Sequence, residues 1–314
     1  MSDLCVLTAS LLVQGKAPGW KLANPPQAAW TFLFNRQHQV DRVCSDQTSH
    51  QTNVAPNQAL NRPEFSRWAR NVAARPLETI SNRPTSGSQL YVQRLAALQT
   101  GQIYTRLPAN SFQTLWERAS RQPTYEDWLR LLRHEANAMV KGQGAERMTI
   151  LLGDSHAQWF PSEQLSKNQF WLNQGLSGDT TAGVLKRLSL FDRTNPDAIY
   201  LMAGINDLRQ GATDQEILTN LQQIMRQLRT RHPYAQVYVH SILPTRLEAI
   251  PVERIRRLNY SISQLALREA SYYINLQPAF ADADGHLQTK LTTDGLHLNA
   301  MGYRLWKIAI APFS

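Results

Sequence analysis

From residue 147 onward the chain alternates short apolar runs with longer amphipathic segments, and this alternation limits its fold more than any other feature. Buried strands separated by helices are typical of a parallel sheet that is covered by helices on both faces. The sequence therefore predicts an α/β fold with a five-stranded parallel sheet. The five runs are MTILL (148–152), QFWLN (169–173), AIYLMA (198–203), QVYVHSI (236–242) and YYINL (272–276).

The longer segments have the residue spacing of helices with one buried face. In EILTNLQQIMRQLRTRH (216–232) apolar residues recur every three or four positions, and VERIRRLNYSISQLALREAS (252–271) repeats the pattern. The segment that begins TYEDWLRLL predicts a helix capped by Thr124 that ends near Gly142. A weaker helical signal covers SFQTLWERAS (111–120).

Residues 1–146 lack the alternation of the second half. Residues 36–90 are rich in Gln, Asn, Arg, Ser and Pro, which is typical of long loops or partial disorder. We therefore predict two parts: an N-terminal extension of unrecognised fold over 1–146, partly helical and partly loop, and a catalytic domain over 147–314.

Composition excludes several classes of function. The net charge is +9, and residues 1–146 carry 16 Lys and Arg against 10 Asp and Glu, but no nucleic-acid-binding motif accompanies the excess. No nucleic-acid partner is therefore expected. The two cysteines, Cys5 and Cys44, provide neither a disulfide framework nor a thiolate metal site.

Targeting signals are weak. No apolar stretch reaches the ~18 residues that cross a bilayer, and LCVLTASLLVQG (4–15) lacks the basic start of a signal peptide. The sequence predicts a cytoplasmic protein without a transmembrane segment. A longer true N-terminus would instead point to a periplasmic or secreted one.

Each predicted strand is followed by a polar turn, in most cases rich in glycine. Ligands of such sheets bind outside the carboxyl ends of the strands, so these turns are expected to meet at one site. The turns are GDS (153–155), QGLSGDTT (174–181), GINDLRQG (204–211), LPTR (243–246) and, near the C-terminus, TTDGLHLNAMGY (292–303).

Together these turns contain the groups that acyl transfer to water requires: a hydroxyl nucleophile, a base, a carboxylate that orients the base, and donors for the oxyanion. Ser155 is the candidate nucleophile, and the Asp-x-x-His spacing lets Asp294 orient His297 as the base. Candidate oxyanion donors are the backbone N–H of Ser155, the backbone N–H of Gly178 and the side-chain amide of Asn206. Each motif alone is typical of an ordinary turn, and the evidence is their combination and order.

Residues 147–314 resemble the SGNH hydrolases, also called GDSL-type esterases or lipases. The resemblance rests on Gly153-Asp154-Ser155, Gly178, Gly204-x-Asn206-Asp207 and Asp294-x-x-His297. The stretches SGDTT, ILPTR and LHLNAMGY are most similar to the branch that contains the catalytic subunits of platelet-activating factor acetylhydrolase. The resemblance implies a flavodoxin-like three-layer sandwich, the same triad and oxyanion donors, and no cofactor.

One position departs from the family pattern. The residue after the nucleophile is often Leu in this family, and here it is His156. We predict a structural or substrate-lining role for His156, and Trp159 is a second candidate for the substrate site. Trp159 and Phe160 would line an acyl pocket or belong to the core. A metal site built from His156, Asp207 and His297 is disfavoured because their spacing fits no common ligand motif.

The predicted function is therefore a serine esterase that hydrolyses acyl or acetyl esters of a small molecule, a lipid or a glycan. A carbohydrate O-deacetylase, or a lysophospholipase or thioesterase, would use the same site. A non-catalytic binding module would be expected to lack a member of the triad, and none is missing. The sequence does not indicate an oligomeric state.

Overall fold

The computed structural model describes residues 83–311, which contain a five-stranded, all-parallel sheet. The strand order is β2-β1-β3-β4-β5, which is the order of flavodoxin-like folds. This confirms the predicted fold class. The strands are β1 Met148–Gly153, β2 Phe170–Gly175, β3 Ala198–Met202, β4 Gln236–His240 and β5 Tyr272–Ile274.

Helices precede, connect and follow the strands. Short 3-10 turns lie at Tyr104–Arg106, Ser162–Gln164, Leu188–Phe191 and Thr289–Leu291. Within the described residues no helix is long and apolar enough to cross a membrane. The α-helices are α1 Gly87–Gln99, α2 Gln113–Trp116, α3 Tyr125–Gly142, α4 Ser155–Gln158, α5 Thr181–Lys186, α6 Ile205–Arg209, α7 Asp214–Arg231, α8 Val252–Arg268, α9 Gln277–Phe280 and α10 Ala300–Ile310.

The long helices begin where local chemistry favours a start. Both α3 and α7 open with a capping box, in which a threonine hydroxyl and an acidic side chain three residues later bond each other's backbone N–H. The pairs are Thr124 with Asp127 and Thr213 with Glu216. The predicted start of α3 at Thr124 is therefore confirmed.

Side chains of the central strands alternate between two cores, one on each face of the sheet. Ile150 and Leu152 join a core with α3, α7 and α8, while Leu151 joins the core on the opposite face with α10. Every residue of β1 is buried. The residues that follow β1 are therefore held on a rigid support.

The segment 111–120 differs from its prediction, because its helix covers only α2. Phe112, immediately before α2, has a φ of 61°, in the left-handed region that no right-handed helix contains. The indole N–H of Trp116 donates to the Ser111 carbonyl oxygen at 3.0 Å. The segment therefore forms a turn around a buried tryptophan.

Residues before β1 also pack on the sheet. Leu90, Tyr104 and Trp128 form a further apolar cluster with Leu176 from the loop after β2. The boundary predicted at 146/147 stays a prediction. The predictions for Cys5, Cys44, the apolar segment 4–15 and the first 82 residues in general lie outside the described residues.

Candidate active site

The Ser155 turn is fixed by its own acidic neighbour. Asp154 caps α4, and its Oδ1 accepts the backbone N–H of His156 at 2.9 Å. Ser155 is therefore the first residue of α4, directly beyond the end of β1, and it is buried with 5% of its surface exposed.

Helix α4 lies directly against the end of β2. The Asn173 side-chain amide donates to the Ala157 carbonyl oxygen at 2.7 Å, and Gln158 Oε1 accepts the backbone N–H of Ser177 at 2.6 Å. A Cβ on Gly175 would lie 2.1 Å from the Gln158 backbone nitrogen. The close approach therefore requires glycine at this position.

Asp294 and His297 form the hydrogen-bonded pair that their spacing predicts. His297 Nδ1 lies 2.6 Å from Asp294 Oδ2, and Asp294 Oδ1 accepts the backbone N–H groups of Leu296 and His297. Burial alone would raise the pKa of Asp294, but the hydrogen bonds from His297 and Leu296 lower it to about 2. The carboxylate therefore stays ionised and directs His297 Nε2 away from itself.

The loop that carries this pair, 292–299, lies beside the Ser155 turn. The rings of His156 and His297 have centroids 6.1 Å apart. Among the described residues no hydrogen bond joins Ser155 to His297 directly. Catalytic hydrogen bonds often tighten only when substrate binds, and the pairing of Ser155 with His297 stays a prediction.

The two oxyanion candidates beyond Ser155 belong to neighbouring turns that are bonded together. Gly178 has a φ of 82° in the turn after β2, a conformation that favours glycine. Asn206 Nδ2 donates to the Asp179 carbonyl oxygen at 2.9 Å. A side-chain amide has two N–H groups, so one remains for an oxyanion.

Asp207 ties the same two turns together from the other side. Its carboxylate accepts the backbone N–H of Thr181 at 2.8 Å and the Thr181 hydroxyl at 2.5 Å. Burial raises the pKa of Asp207 despite these bonds. The Asn206-Asp207 pair therefore fixes the position of the Gly178 turn.

Arg187 is a buried side chain that the sequence analysis missed. Its guanidinium donates to the Asp179 carboxylate at 2.5 Å, to the Gln174 carbonyl oxygen at 2.6 Å and to the Gly153 carbonyl oxygen at 2.7 Å. It therefore joins the ends of β1 and β2 to the Gly178 turn. The only signal in the sequence is an arginine shortly after a glycine-rich turn, which does not distinguish it from a surface arginine.

A cavity of about 400 Å³ opens beside His297. Three segments line it: residues 83–109, residues 158–163 and residues 293–303. Trp159 is among the lining residues, as are Phe160, Tyr303, Gln93 and Gln158. His156 and Ser155 are not among them, and the substrate-lining role of His156 stays a prediction.

Within residues 83–311 no group of three or more His, Cys, Asp and Glu side chains is arranged to hold a metal ion. His156 and His297 are close together, but Asp207 bonds Thr181 instead.

About half of the chain is similar to known proteins. Among curated proteins, platelet-activating factor acetylhydrolase IB subunit alpha1 of Bos taurus is 28% identical over 166 residues, which cover 50% of this chain and 71% of the relative. The alpha2 subunit of Homo sapiens is 28% identical over 165 residues, which cover 49% and 70%.

Solved structures show the same fold. A Streptococcus pneumonia protein described as a platelet activating factor has a TM-score of 0.54 at 24% identity, over 60% of this chain and 95% of that one. A GDSL-like lipase from Bacteroides thetaiotaomicron has a TM-score of 0.52 at 17% identity, over 59% and 95%.

A family model, that of the GDSL-like lipases and acylhydrolases, matches residues 141–305, which is just over half of the chain. This match contains every site residue predicted from the sequence. The chain therefore belongs to the GDSL-like lipase/acylhydrolase family, whose members are hydrolases acting on ester bonds.

Proposed function

We propose that the chain is a serine esterase that hydrolyses acyl or acetyl esters, with Ser155 as nucleophile, His297 as base and Asp294 as the group that orients the base. The observation that carries the proposal is the 2.6 Å bond between His297 Nδ1 and Asp294 Oδ2, on the loop beside Ser155. A histidine held in this way has one tautomer and a free Nε2 for proton transfer.

The reaction follows from these positions. His297 Nε2 takes the hydroxyl proton of Ser155 as Oγ bonds to the ester carbonyl carbon, and the carbonyl oxygen becomes an oxyanion. The backbone N–H groups of Ser155 and Gly178 and the Asn206 amide stabilise that oxyanion. His297 then gives its proton to the departing alcohol, and water attacks the acyl-enzyme by the same route.

The cavity beside His297 supports a proposed site for the alcohol part of the ester. Because His297 protonates the leaving oxygen, the alcohol lies on the side of this histidine, which is the side where the cavity opens. Its lining combines aromatic residues, such as Trp159 and Tyr303, with polar ones, such as Gln93 and Gln158. This mixture suits an alcohol that carries both apolar surface and hydroxyl groups.

The first test compares wild type with Ser155→Ala on p-nitrophenyl esters from acetate to palmitate. We expect the variant to lose roughly 10⁴- to 10⁶-fold in kcat, as for loss of a nucleophile. The matched control is Ser263→Ala, which removes an exposed hydroxyl from α8. Hydrolysis that survives Ser155→Ala at the wild-type rate would contradict the proposal.

Natural alcohols separate the functions that share this site. Release of acetate from an acetylated sugar would identify a carbohydrate O-deacetylase, which favours a short acyl group and a large polar alcohol. Release of fatty acid from a lysophospholipid, or of a thiol from an acyl thioester, would identify the other alternative. Each reaction is measured beside Ser155→Ala, so that only hydrolysis by this site is counted.

A further inference from the structure

The ring of His156 lies between two hydrogen-bond acceptors. Nδ1 is 3.1 Å from Asp154 Oδ1, and Nε2 is 3.1 Å from the carbonyl oxygen of Leu296. A neutral imidazole has only one N–H, whereas the imidazolium has two. A backbone carbonyl oxygen and an ionised carboxylate only accept, so with Asp154 ionised both bonds form together only when both ring nitrogens carry protons.

Burial of the aspartate leads to the same conclusion. Asp154 is completely buried, and among the described residues its Oδ2 has no hydrogen-bond partner. An ionised carboxylate in such a place requires a nearby positive charge. The ring of His156, itself 2% exposed, is the ion-pair partner that the structure gives it.

The two bonds of His156 connect the two halves of the site. Asp154 precedes the proposed nucleophile Ser155, and Leu296 precedes the proposed base His297. Among the described residues, the bond from His156 to Leu296 is the one hydrogen bond between residues 153–160 and loop 292–299. The other side of the loop is held by Thr245 and Arg246, which both bond the Gly295 carbonyl oxygen.

We propose that His156 is a positioning residue, held as an imidazolium between Asp154 and Leu296, which sets the distance between the nucleophile and the base. The proposal rests on the proposed function for its effect on hydrolysis, but the charge state of the ring is independent of it. This role differs from the substrate-lining one, because His156 acts on the base through the backbone of loop 292–299.

The charges and hydrogen bonds around the ring of His156 favour its protonated form. Burial alone would lower the pKa of His156, but the hydrogen bond and charge of Asp154, the Leu296 carbonyl oxygen and the charge of Asp294 raise it. The titratable groups that face the pair are Asp154 in its own turn, Asp294 and His297 in the base loop, Asp207 in α6 and Tyr303 in α10.

The pH dependence follows from this direction. Because the pKa is raised on folding, the imidazolium stabilises the fold fully below the ordinary histidine value of 6.5 and loses this effect as pH rises through the folded value. On deprotonation the ring keeps the charge-assisted bond to Asp154 and gives up the bond to Leu296. Loop 292–299 then keeps its bonds to Thr245 and Arg246 but loses the one to His156, and wild-type kcat is expected to decline on the alkaline side.

The charge state is tested by NMR of ring nitrogens in the full-length chain, with His156→Leu used to assign the signals. At pH 6 we expect His156 to show two protonated nitrogens. His240 is the internal reference, because burial lowers its pKa to about 3 and neither of its nitrogens has a hydrogen-bond partner in the described chain. An unprotonated nitrogen in the His156 ring at pH 6 would overturn the proposal.

The positioning role is tested by kinetics of two variants. His156→Leu removes both bonds, and a loss of roughly 10- to 100-fold in kcat with little change in KM is expected from a displaced base. His156→Gln keeps one donor for Leu296 and has no ring to titrate, so it should retain more activity and lose the alkaline decline of wild type. Wild-type kcat in His156→Leu, or the same alkaline decline in His156→Gln, would overturn the role.

Failure of this inference is distinguishable from failure of the proposed function. Ser155→Ala tests the nucleophile, while the ring signals of His156 report its protons even in a chain without activity. Circular dichroism and thermal unfolding of both His156 variants show whether each variant is folded. A lower kcat in a folded variant is then a catalytic effect and not a result of unfolding.

Discussion

At the scale of single residues, contacts in the candidate site were predictable where both partners lie close together in sequence. The Asp-x-x-His spacing placed the Asp294 carboxylate against the ring of His297, and the bond forms within one loop. Arg187 could not be predicted in this way, because two of its three partners are backbone carbonyl oxygens. Every residue has a backbone carbonyl oxygen, so the sequence does not show which ones will accept hydrogen bonds from Arg187.

Replacing Asp294 by Asn tests the orienting carboxylate. We expect a loss of about 10⁴-fold in kcat, because an amide can present its N–H groups to Nδ1 and favour the wrong tautomer. The control is Asp284→Asn, which changes an exposed carboxylate in a turn. Wild-type kcat in Asp294→Asn would show that this carboxylate does not serve the base.

The same variant gives a pH dependence of stability. The pKa of Asp294 is lowered by folding to about 2, so its ionised form stabilises the fold above the ordinary value of 3.8 and loses this effect as pH falls toward 2. The Tm difference between wild type and Asp294→Asn should therefore shrink between pH 5 and about pH 2. A difference that grows toward acid pH would contradict this assignment.

At the scale of elements, the apolar runs predicted all five strands. The short helix α4 was not predicted, because four residues have no periodicity to detect. Its position depends on Asn173, on Gln158 and on the absence of a side chain at Gly175. Such close packing of backbone on backbone is a property of the folded chain.

A methyl group at position 175 tests this contact. In Gly175→Ala the new Cβ would meet the backbone of Ala157 and Gln158 at 2.1–2.6 Å, so α4 must move and carry Ser155 with it. A displacement on the order of 1 Å is expected to lower kcat by about 10²-fold. Gly142→Ala is the matched control, since a Cβ there meets nothing within 4 Å. Equal kcat in the two variants would show that α4 accommodates the methyl group without displacing Ser155 enough to slow the reaction.

At the scale of the whole molecule, the folded unit extends beyond the part that resembles known proteins. The family model begins at residue 141, yet residues 83–109 line the cavity and α1 bonds to the sheet. The sequence predicted α3 from its cap and its buried face but gave no sign of α1. The reason is that α1 buries the polar side chains of Gln93 and Arg94, whose hydrogen-bond partners lie elsewhere in the chain.

The link between α1 and the sheet is a fully buried ion pair. Arg94 donates to both carboxylate oxygens of Glu135 on α3, at 3.0 and 2.5 Å, and to the Asn173 carbonyl oxygen on β2 at 2.8 Å. The guanidinium also lies 4.7 Å from the ring centre of Tyr104. Removal of Arg94 alone therefore leaves Glu135 buried without its counter-charge.

Arg94→Met is therefore expected to lower the free energy of unfolding, measured in urea, by roughly 3–5 kcal/mol. The reason is that the Glu135 carboxylate would stay buried without a compensating positive charge. Arg94→Met with Glu135→Leu should recover most of that loss, since apolar side chains of similar volume can replace such pairs. The control is Arg256→Met, which breaks an exposed pair with Glu253 and should change little. If Arg94→Met were no more destabilising than Arg256→Met, residues 83–142 would not share the cooperative unfolding of the sheet. A single shifted transition, with activity lost along it, would instead show that residues 83–142 and the proposed hydrolase site unfold as one unit.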